Sequence, residues 1–236
     1  MKDARSVSLL VVGLAVLASP AASSAAQSQE APKIQIPQPG VPQIMTLEGR
    51  YIRVAYNNEG YAILGYRLTN ETVGEEWMLL EIGLSLRSGV PDYTLTREAI
   101  SLDTPDGTKI PMASVAEFQD GNNRALQNRA KISRDSINYF PPDATQACRI
   151  GFFADVASPG RSWDQIELSS RRGCVGRVYF HVPGGTKYGQ HWLNVKFKET
   201  LIRVPFRILT KEEDKLLEKH YDDIARQVQD AFKPKK

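Results

Sequence analysis

The sequence predicts a mainly β protein, an antiparallel β-sandwich with a short helical insertion and a C-terminal amphipathic helix. Three observations support this prediction. Apolar and polar residues alternate in most segments between Arg50 and Ile208, and turn residues separate these segments, as they do between half-buried strands. Helical patterns do not alternate with the strands, as they would in a parallel βαβ fold. Near the C-terminus the apolar residues change to a helical spacing.

The first 26 residues have the order of parts found in a secretory signal peptide. A short charged start is followed by the apolar run Leu9–Ala18, and then by small residues that end in Ser24-Ala25-Ala26. This run is about half of the roughly 20 residues that a membrane span requires. We therefore expect cleavage before Gln27 and a secreted protein, periplasmic or extracellular, with an uncleaved signal anchor as the alternative. No later segment is apolar enough to predict a membrane span.

Residues 27–46 are rich in proline and glutamine and contain Pro32, Pro37, Pro39 and Pro42. Proline lacks a backbone donor and favours an extended, poorly packed chain. This composition predicts a tether before the β-sandwich domain, with the alternative that part of it lies along a sheet edge.

The β-sandwich domain is predicted over residues 47–210. The turns Asn57-Asn58-Glu59-Gly60 and Asp103-Thr104-Pro105-Asp106-Gly107 separate alternating segments, as in antiparallel hairpins. Residues 113–132 interrupt the strands with two short helices or turns around Gly121-Asn122-Asn123. Strands are expected near the following positions: 52–56, 62–68, 78–86, 100–102, 110, 147–154, 163–168, 175–182, 193–197 and 202–208.

Residues 211–236 are predicted to form a C-terminal helix and a basic tail. Thr210 and Glu213 match a capping box at the start of the helix. An apolar stripe at helical spacing follows, formed by Leu217, Tyr221, Ile224, Val228 and Phe232. We expect this stripe to be buried, either on the sandwich of the same chain or as a face for a partner protein or a second copy.

Cys148 and Cys174 are the two cysteines of the chain, and both follow the predicted signal peptide. In an oxidising compartment such a pair predicts a disulfide. Closing a loop of about 27 residues contributes roughly 3.5 kcal/mol in the chain-entropy model. A free thiol nucleophile and half of a metal site are the alternatives.

Two stretches resemble known secreted proteins. Tyr93–Thr96, followed by a strand that ends at the Asp106-Gly107 turn, resembles bacterial immunoglobulin-like β-sandwich domains. Residues 138–142 (Asn-Tyr-Phe-Pro-Pro), together with 148–153, resemble uncharacterised bacterial secreted proteins. The resemblance implies an immunoglobulin-like sandwich and no catalytic residue. The chain departs from true immunoglobulin domains because its cysteines are close in sequence and Trp163 lies between them.

The composition argues against several classes of function. A net charge of +3 is too small to predict nucleic-acid binding. His181 and His191 should point to opposite faces, outward and inward respectively, so we predict no metal site, since a structural zinc site uses four ligands. The chain contains no nucleophile elbow, zinc-protease motif or phosphate loop, and no cofactor is predicted.

One pattern of outward-facing residues suggests a binding surface. On the last strands, the outward positions combine aromatic and cationic side chains: Arg177, Tyr179, His181, Trp192, Asn194, Lys196, Lys198, Arg203 and Arg207. Such a face could bind sugars, an anionic polymer or an acidic partner, although the C-terminal helix could also cover it. We therefore expect a non-catalytic interaction module for an envelope protein or glycan. A small hydrolase and an assembly protein that self-associates through its helix are the alternatives.

Overall fold

The computed structural model describes residues 32–156 and 159–233. The predicted signal peptide, the start of the predicted tether and the end of the basic tail lie outside these residues. The described part contains the following strands: β1 (Ile44–Gly49), β2 (Ile52–Tyr56), β3 (Gly60–Gly65), β4 (Trp77–Leu86), β5 (Tyr93–Thr96), β6 (Ile100–Asp103), β7 (Lys109–Pro111), β8 (Gln146–Ile150), β9 (Gln165–Leu168), β10 (Arg172–His181), β11 (Gly189–Lys196) and β12 (Leu201–Ile208). Its helices are α1 (Arg67–Glu71), α2 (Val115–Asp120), α3 (Arg124–Arg129), α4 (Lys211–Lys219) and α5 (Tyr221–Ala231), with a 3-10 turn at Arg97–Ala99.

The strands form three sheets, which confirms the prediction of a mainly β fold. The largest has the order β1-β2-β3-β4-β10-β8, the second the order β12-β11-β6-β7, and the smallest pairs β5 with β9. Every neighbouring pair is antiparallel except β8 and β10, which are parallel. The prediction of a wholly antiparallel arrangement is therefore wrong at this edge. The connection from β8 runs through β9, which pairs elsewhere, and so β10 enters the sheet in the same direction as β8.

The disulfide between Cys148 and Cys174 is present, as predicted. The two cysteines are register partners in the parallel pair of β8 and β10. The bond therefore joins the edge strand β8 to its neighbour and closes the connection that contains β9.

The two larger sheets contribute to one hydrophobic core. Tyr66 packs against Phe206 of β12, with ring centroids 5.2 Å apart. Phe197 lies so close to Gly60 that a Cβ atom there would be 2.6 Å from the ring, and only glycine fits beneath it. Strand β4 is buried on both faces over most of its length. It therefore occupies the centre of the fold rather than a half-exposed surface.

The helical insertion begins and breaks where the sequence indicates. Ser114 and Glu117 form a capping box at the start of α2, and Gly121 ends that helix. A Cβ atom at Gly121 would be 2.2 Å from the Trp77 ring, so the glycine permits close packing on β4. One predicted strand is shorter than expected, because β3 ends at Gly65 and Leu68 lies in α1.

The described part of the predicted tether is packed against the domain. Strand β1 begins at Ile44, inside the predicted tether, and Met45 is buried. The side chain of Gln43 bonds the backbone N–H and C=O of Arg203, at the free edge of β12. Residues 32–37, here called the strap, contact α5 through the side-chain amide of Gln227. Apolar residues placed between the prolines explain this docking, because they pack against the core.

The C-terminal segment forms two helices rather than one, because the chain breaks at His220 between α4 and α5. The predicted capping box of Thr210 and Glu213 is present. Four residues of the apolar stripe are buried in the core of the same chain: Leu217, Ile224, Val228 and Phe232. Tyr221 is half-buried and donates a hydrogen bond to the carbonyl of Leu47 in β1. The stripe is therefore covered intramolecularly, and its interpretation as a partner face is wrong for this arrangement. In the described part of the chain, no helix has the length and apolarity needed to cross a membrane.

Candidate functional site

The outer face of the four-stranded sheet carries a groove of about 1120 Å³. Strand alternation directs most apolar residues of β6, β7, β11 and β12 to the core, and the groove is lined by polar residues of these strands: Ser101, Asp103, Lys109, Asn194, Lys196 and Arg203. Pairing across the strands sets the neighbours: Asn194 lies between Arg203 and Ser101, and Asp103 lies opposite Lys109. Residues 39–41 and the turn at 197–200 form parts of its walls. We name this feature the sheet groove.

A hydrogen-bonded network organises the floor of the sheet groove. The Arg203 guanidinium binds Asp103 Oδ2 at 2.9 Å and Asn194 Oδ1 at 3.1 Å, and it donates to the Pro39 carbonyl at 3.0 Å. The Asn194 amide donates to Asp103 Oδ1 at 2.9 Å. Arg203 also stacks over the Trp192 ring, 4.6 Å from its centroid. These contacts fix the positions of the polar side chains through bonds within the chain itself.

Three lysines of the floor and wall of the groove have no carboxylate partner among the described residues. Lys109, Lys196 and Lys198 line the sheet groove, and all three are exposed. Within the residues that the structure describes, none of them has a carboxylate within 4.0 Å. Glu117, by contrast, lines the groove but is engaged in the capping box of α2. Glu98 and Glu199 also line the groove, so its lining holds five cationic side chains (Arg97, Lys109, Lys196, Lys198 and Arg203) and four carboxylates (Glu98, Asp103, Glu117 and Glu199), a small excess of positive charge.

A buried carboxylate fixes the turn that carries Lys198. The oxygens of Glu59 accept hydrogen bonds from the backbone N–H groups of Glu199 and Thr200, from the Thr200 hydroxyl and from Tyr93 OH. Burial alone would raise the pKa of Glu59, but these hydrogen bonds outweigh it and lower the pKa. Glu59 is therefore charged at neutral pH and stabilises one end of the groove.

The predicted aromatic and cationic face is divided between two sheets. Trp192, Lys196, Arg203 and Arg207 lie on the four-stranded sheet, whereas Arg177, Tyr179 and His181 lie on β10 of the six-stranded sheet. The prediction of one continuous face is therefore wrong. Strand β10 belongs to the six-stranded sheet, whereas the strands that follow it, β11 and β12, belong to the four-stranded sheet. Arg207 also lies apart from the groove, in an ion pair of 2.6 Å with Glu213 at the start of α4.

The β10 residues are largely buried. Tyr179 is buried beneath Phe118 of α2 and Phe153, with ring centroids 4.6 and 5.1 Å away. Its hydroxyl donates to Asp155 Oδ2 at 2.7 Å. The helical insertion thus covers the face that alternation predicted to be outward. His181 is half-exposed beside Trp77, and His191 is buried, in agreement with their predicted directions.

A cleft of about 540 Å³ beside β10 contains the carboxylates that a hydrolase would require. Burial is the main reason that the pKa of Glu81 is raised. Arg177 lies 3.3 Å from Glu81 Oε1 and 3.3 Å from Asp155 Oδ2, and Glu81 Oε2 accepts from the Asp135 N–H at 2.6 Å. These carboxylates are engaged in a buried ion-pair network, so general acid–base chemistry there would require that network to open. In the described part, no group of three or more His, Cys, Asp or Glu side chains could hold a metal ion.

The predicted face contained four residues that line the groove, Asn194, Lys196, Lys198 and Arg203, whereas Trp192 lies behind Arg203 and outside the lining. Sequence reasoning missed the contribution of Asp103 and Lys109. Their alternation with buried Leu102 and Ile110 was visible, but the pairing of β6 with β11, which brings Asp103 and its hairpin partner Lys109 beside Asn194 and Arg203, is a long-range contact. Comparison with protein-family models, with curated proteins and with solved structures found no match.

Proposed function

We propose that this chain is an exported, non-catalytic binding module with an immunoglobulin-like arrangement of its two larger sheets. Its ligand is an extended acidic segment of a partner protein in the cell envelope, bound in the sheet groove. The observation that carries the proposal is the set of unpaired lysines, Lys109, Lys196 and Lys198, above the organised floor of the sheet groove. Complementary charges attract such a ligand and orient it.

An acidic peptide suits the sheet groove better than a sugar. Sugar recognition commonly uses an accessible aromatic ring on which the ligand stacks. Among the described lining residues, the one aromatic ring belongs to Phe197, and it is buried. Trp192 is held behind Arg203. The groove instead presents ammonium groups, which bind carboxylates.

Export is supported by two features. The order of charged, apolar and small residues at the N-terminus matches a secretory signal. The disulfide between Cys148 and Cys174 suits an oxidising compartment, because such bonds are rare where thiols are kept reduced. The two larger sheets, antiparallel except at the β8–β10 edge, contribute to one core, and this supports the immunoglobulin-like arrangement.

The proposal is tested by reversing the charge of the sheet groove. A fluorescent peptide of alternating glutamate and serine is titrated into the protein at low ionic strength, and its anisotropy is followed. We expect Lys109→Glu, Lys196→Glu and Lys198→Glu together to weaken binding at least about tenfold, since each lost charge pair contributes near 1 kcal/mol.

The matched control reverses three exposed lysines elsewhere, with Lys131→Glu, Lys211→Glu and Lys215→Glu. It makes the same change in net charge, so binding that depends on the groove should remain within about twofold of the original. Equal losses in both triple variants would show that net charge alone attracts the peptide. Tighter binding of polygalacturonate, an acidic glycan, would assign the groove to sugars instead.

A further inference from the structure

A second cavity, of about 610 Å³, lies between the strap, strands β1 and β12, and the C-terminal helices. Its walls are mainly apolar and include Ile34 and Ile36 of the strap, Met45 of β1, Phe206 of β12, and Leu216 and Val228 of the helices. Its volume falls in the range of small-molecule sites, about 300–1,000 Å³. We name it the strap cavity. It is separate from the sheet groove and does not depend on the function proposed above.

Two cations line this cavity, Arg53 and Arg207, and of these Arg53 is only 8% exposed. Its Nη1 donates to the carbonyls of Gly49, Arg50 and Ile52, and its Nη2 donates to the Tyr66 hydroxyl at 2.6 Å. Within the described residues, no carboxylate lies within 4.0 Å of Arg53. A buried charge without a counter-charge is costly, and carbonyl dipoles neutralise it only in part.

The neighbouring arginines, unlike Arg53, each have a carboxylate partner. Arg50 pairs with Asp214 at 2.7 Å, and Arg207, which also lines the strap cavity, pairs with Glu213. Of these three arginines, Arg53 is the one that has no carboxylate partner among the described residues. An anion that enters the cavity would complete its coordination.

The cavity has an edge that a ligand can reach. Leu216 of α4 is 43% exposed and lines the cavity, which places an apolar side chain at its opening. The strap forms the opposite wall without strand or helix hydrogen bonds, and Gln227 joins it to α5 through Pro32 and Ile34. Few polar contacts therefore hold this wall in place.

We propose that the strap cavity binds a single-chain anionic amphiphile, such as a fatty acid. The acyl chain lies along the apolar walls, and the carboxylate meets Arg53. The apolar area accounts for affinity and the buried guanidinium accounts for selection of an acidic head group. Charge complementarity with Arg53 distinguishes this ligand from a neutral lipid, which would leave the cation without a counter-charge.

The test compares decanoate with decan-1-ol at pH 8 by isothermal titration calorimetry on the purified protein. We expect one site per chain and decanoate to bind at least about tenfold more tightly, the ratio that corresponds to a charge-assisted hydrogen bond. Equal affinity for the acid and the alcohol, or no binding of decanoate, would overturn the proposal.

Two variants locate the site. Leu216→Trp should fill the cavity from its exposed edge and abolish decanoate binding without loss of folding, because that side chain is not part of the buried stripe. Arg53→Met should remove the preference for the acid while binding of the alcohol persists. Lys196→Met, in the sheet groove, is the control and should bind decanoate as the original does. Unchanged decanoate binding by Leu216→Trp would contradict the assignment, even if Arg53→Met failed to fold.

Discussion

The two halves of the predicted aromatic and cationic face have opposite surroundings. On β10, Arg177 and Tyr179 lie beneath the helical insertion and belong to a buried ion-pair network. On β11 and β12, Lys196 and Arg203 line an open groove, and residues 39–41 form only part of its wall. The two halves have the same alternation in sequence. Alternation therefore predicts the face to which a side chain points, but it does not predict whether another segment covers that face.

The arginine that is buried has more ion-pair partners than the arginine that is partly exposed to water. Arg177 is shielded from water, and two carboxylates and the Ala130 carbonyl engage its guanidinium. Arg203 remains partly exposed and pairs with one carboxylate, that of Asp103. Substitutions in the covered half should thus lower stability, whereas substitutions in the open half should change binding. The following experiments test this contrast.

The largest effect is expected in the other covered surface, the stripe of the C-terminal helices. Leu217→Asp with Ile224→Asp would place two charges in the core, and we expect a loss of more than about 4 kcal/mol in the free energy of unfolding. Urea denaturation measures this loss. The control, Lys215→Asp with Gln229→Asp, puts the same charges on exposed positions of α4 and α5 and should cost less than about 1 kcal/mol. Similar losses from the two pairs would mean that the stripe is not packed on its own domain.

The next effect compares Arg177 with Lys196. Arg177→Met removes the cation that pairs with both Glu81 and Asp155, and breaking such a buried pair costs about 3–5 kcal/mol. Lys196→Met removes an exposed charge and should change stability by less than about 0.5 kcal/mol. Thermal and urea unfolding of the two variants give the comparison. A stable Arg177→Met protein would show that the β10 network contributes little to folding.

The smallest effect is a dependence of stability on pH that arises at His191. Burial lowers the pKa of His191 from 6.5 to about 4, and its Nε2 has no hydrogen-bond partner in the described structure. Below pH 6.5 His191 is protonated in the unfolded chain but stays neutral in the native chain. The free energy of unfolding therefore falls as the pH decreases towards 4. Between pH 7.5 and pH 5 we expect a loss of about 2 kcal/mol from this group.

Substitution identifies the histidine responsible. His191→Phe should remove most of this loss, since Phe206 already stacks on that ring and accepts an aromatic neighbour. His181→Gln, at the half-exposed histidine of β10, should leave the loss in place. Unfolding curves of the three proteins at both pH values make the test, and a loss unchanged by His191→Phe would assign it to other groups.

Local signals in the sequence determined much of this protein. Strand alternation placed most strands, and it set the directions of His181 and His191, because both depend on residues next to one another in the chain. The capping boxes at Ser114 and Thr210 began α2 and α4, since a cap satisfies backbone donors only three residues away. The presence of two cysteines in a chain with a predicted export signal predicted their bond.

Tertiary structure alone decided which surfaces stayed open. The insertion after Ser114 packs on Tyr179, the strap packs against α5, and β8 lies parallel to β10, and each arrangement joins segments distant in sequence. Such contacts form only when the whole core is assembled, because their free energy comes from area buried between elements rather than from any single segment. For the same reason the sheet groove and the strap cavity, each lined by several separate segments, could not be derived from the sequence.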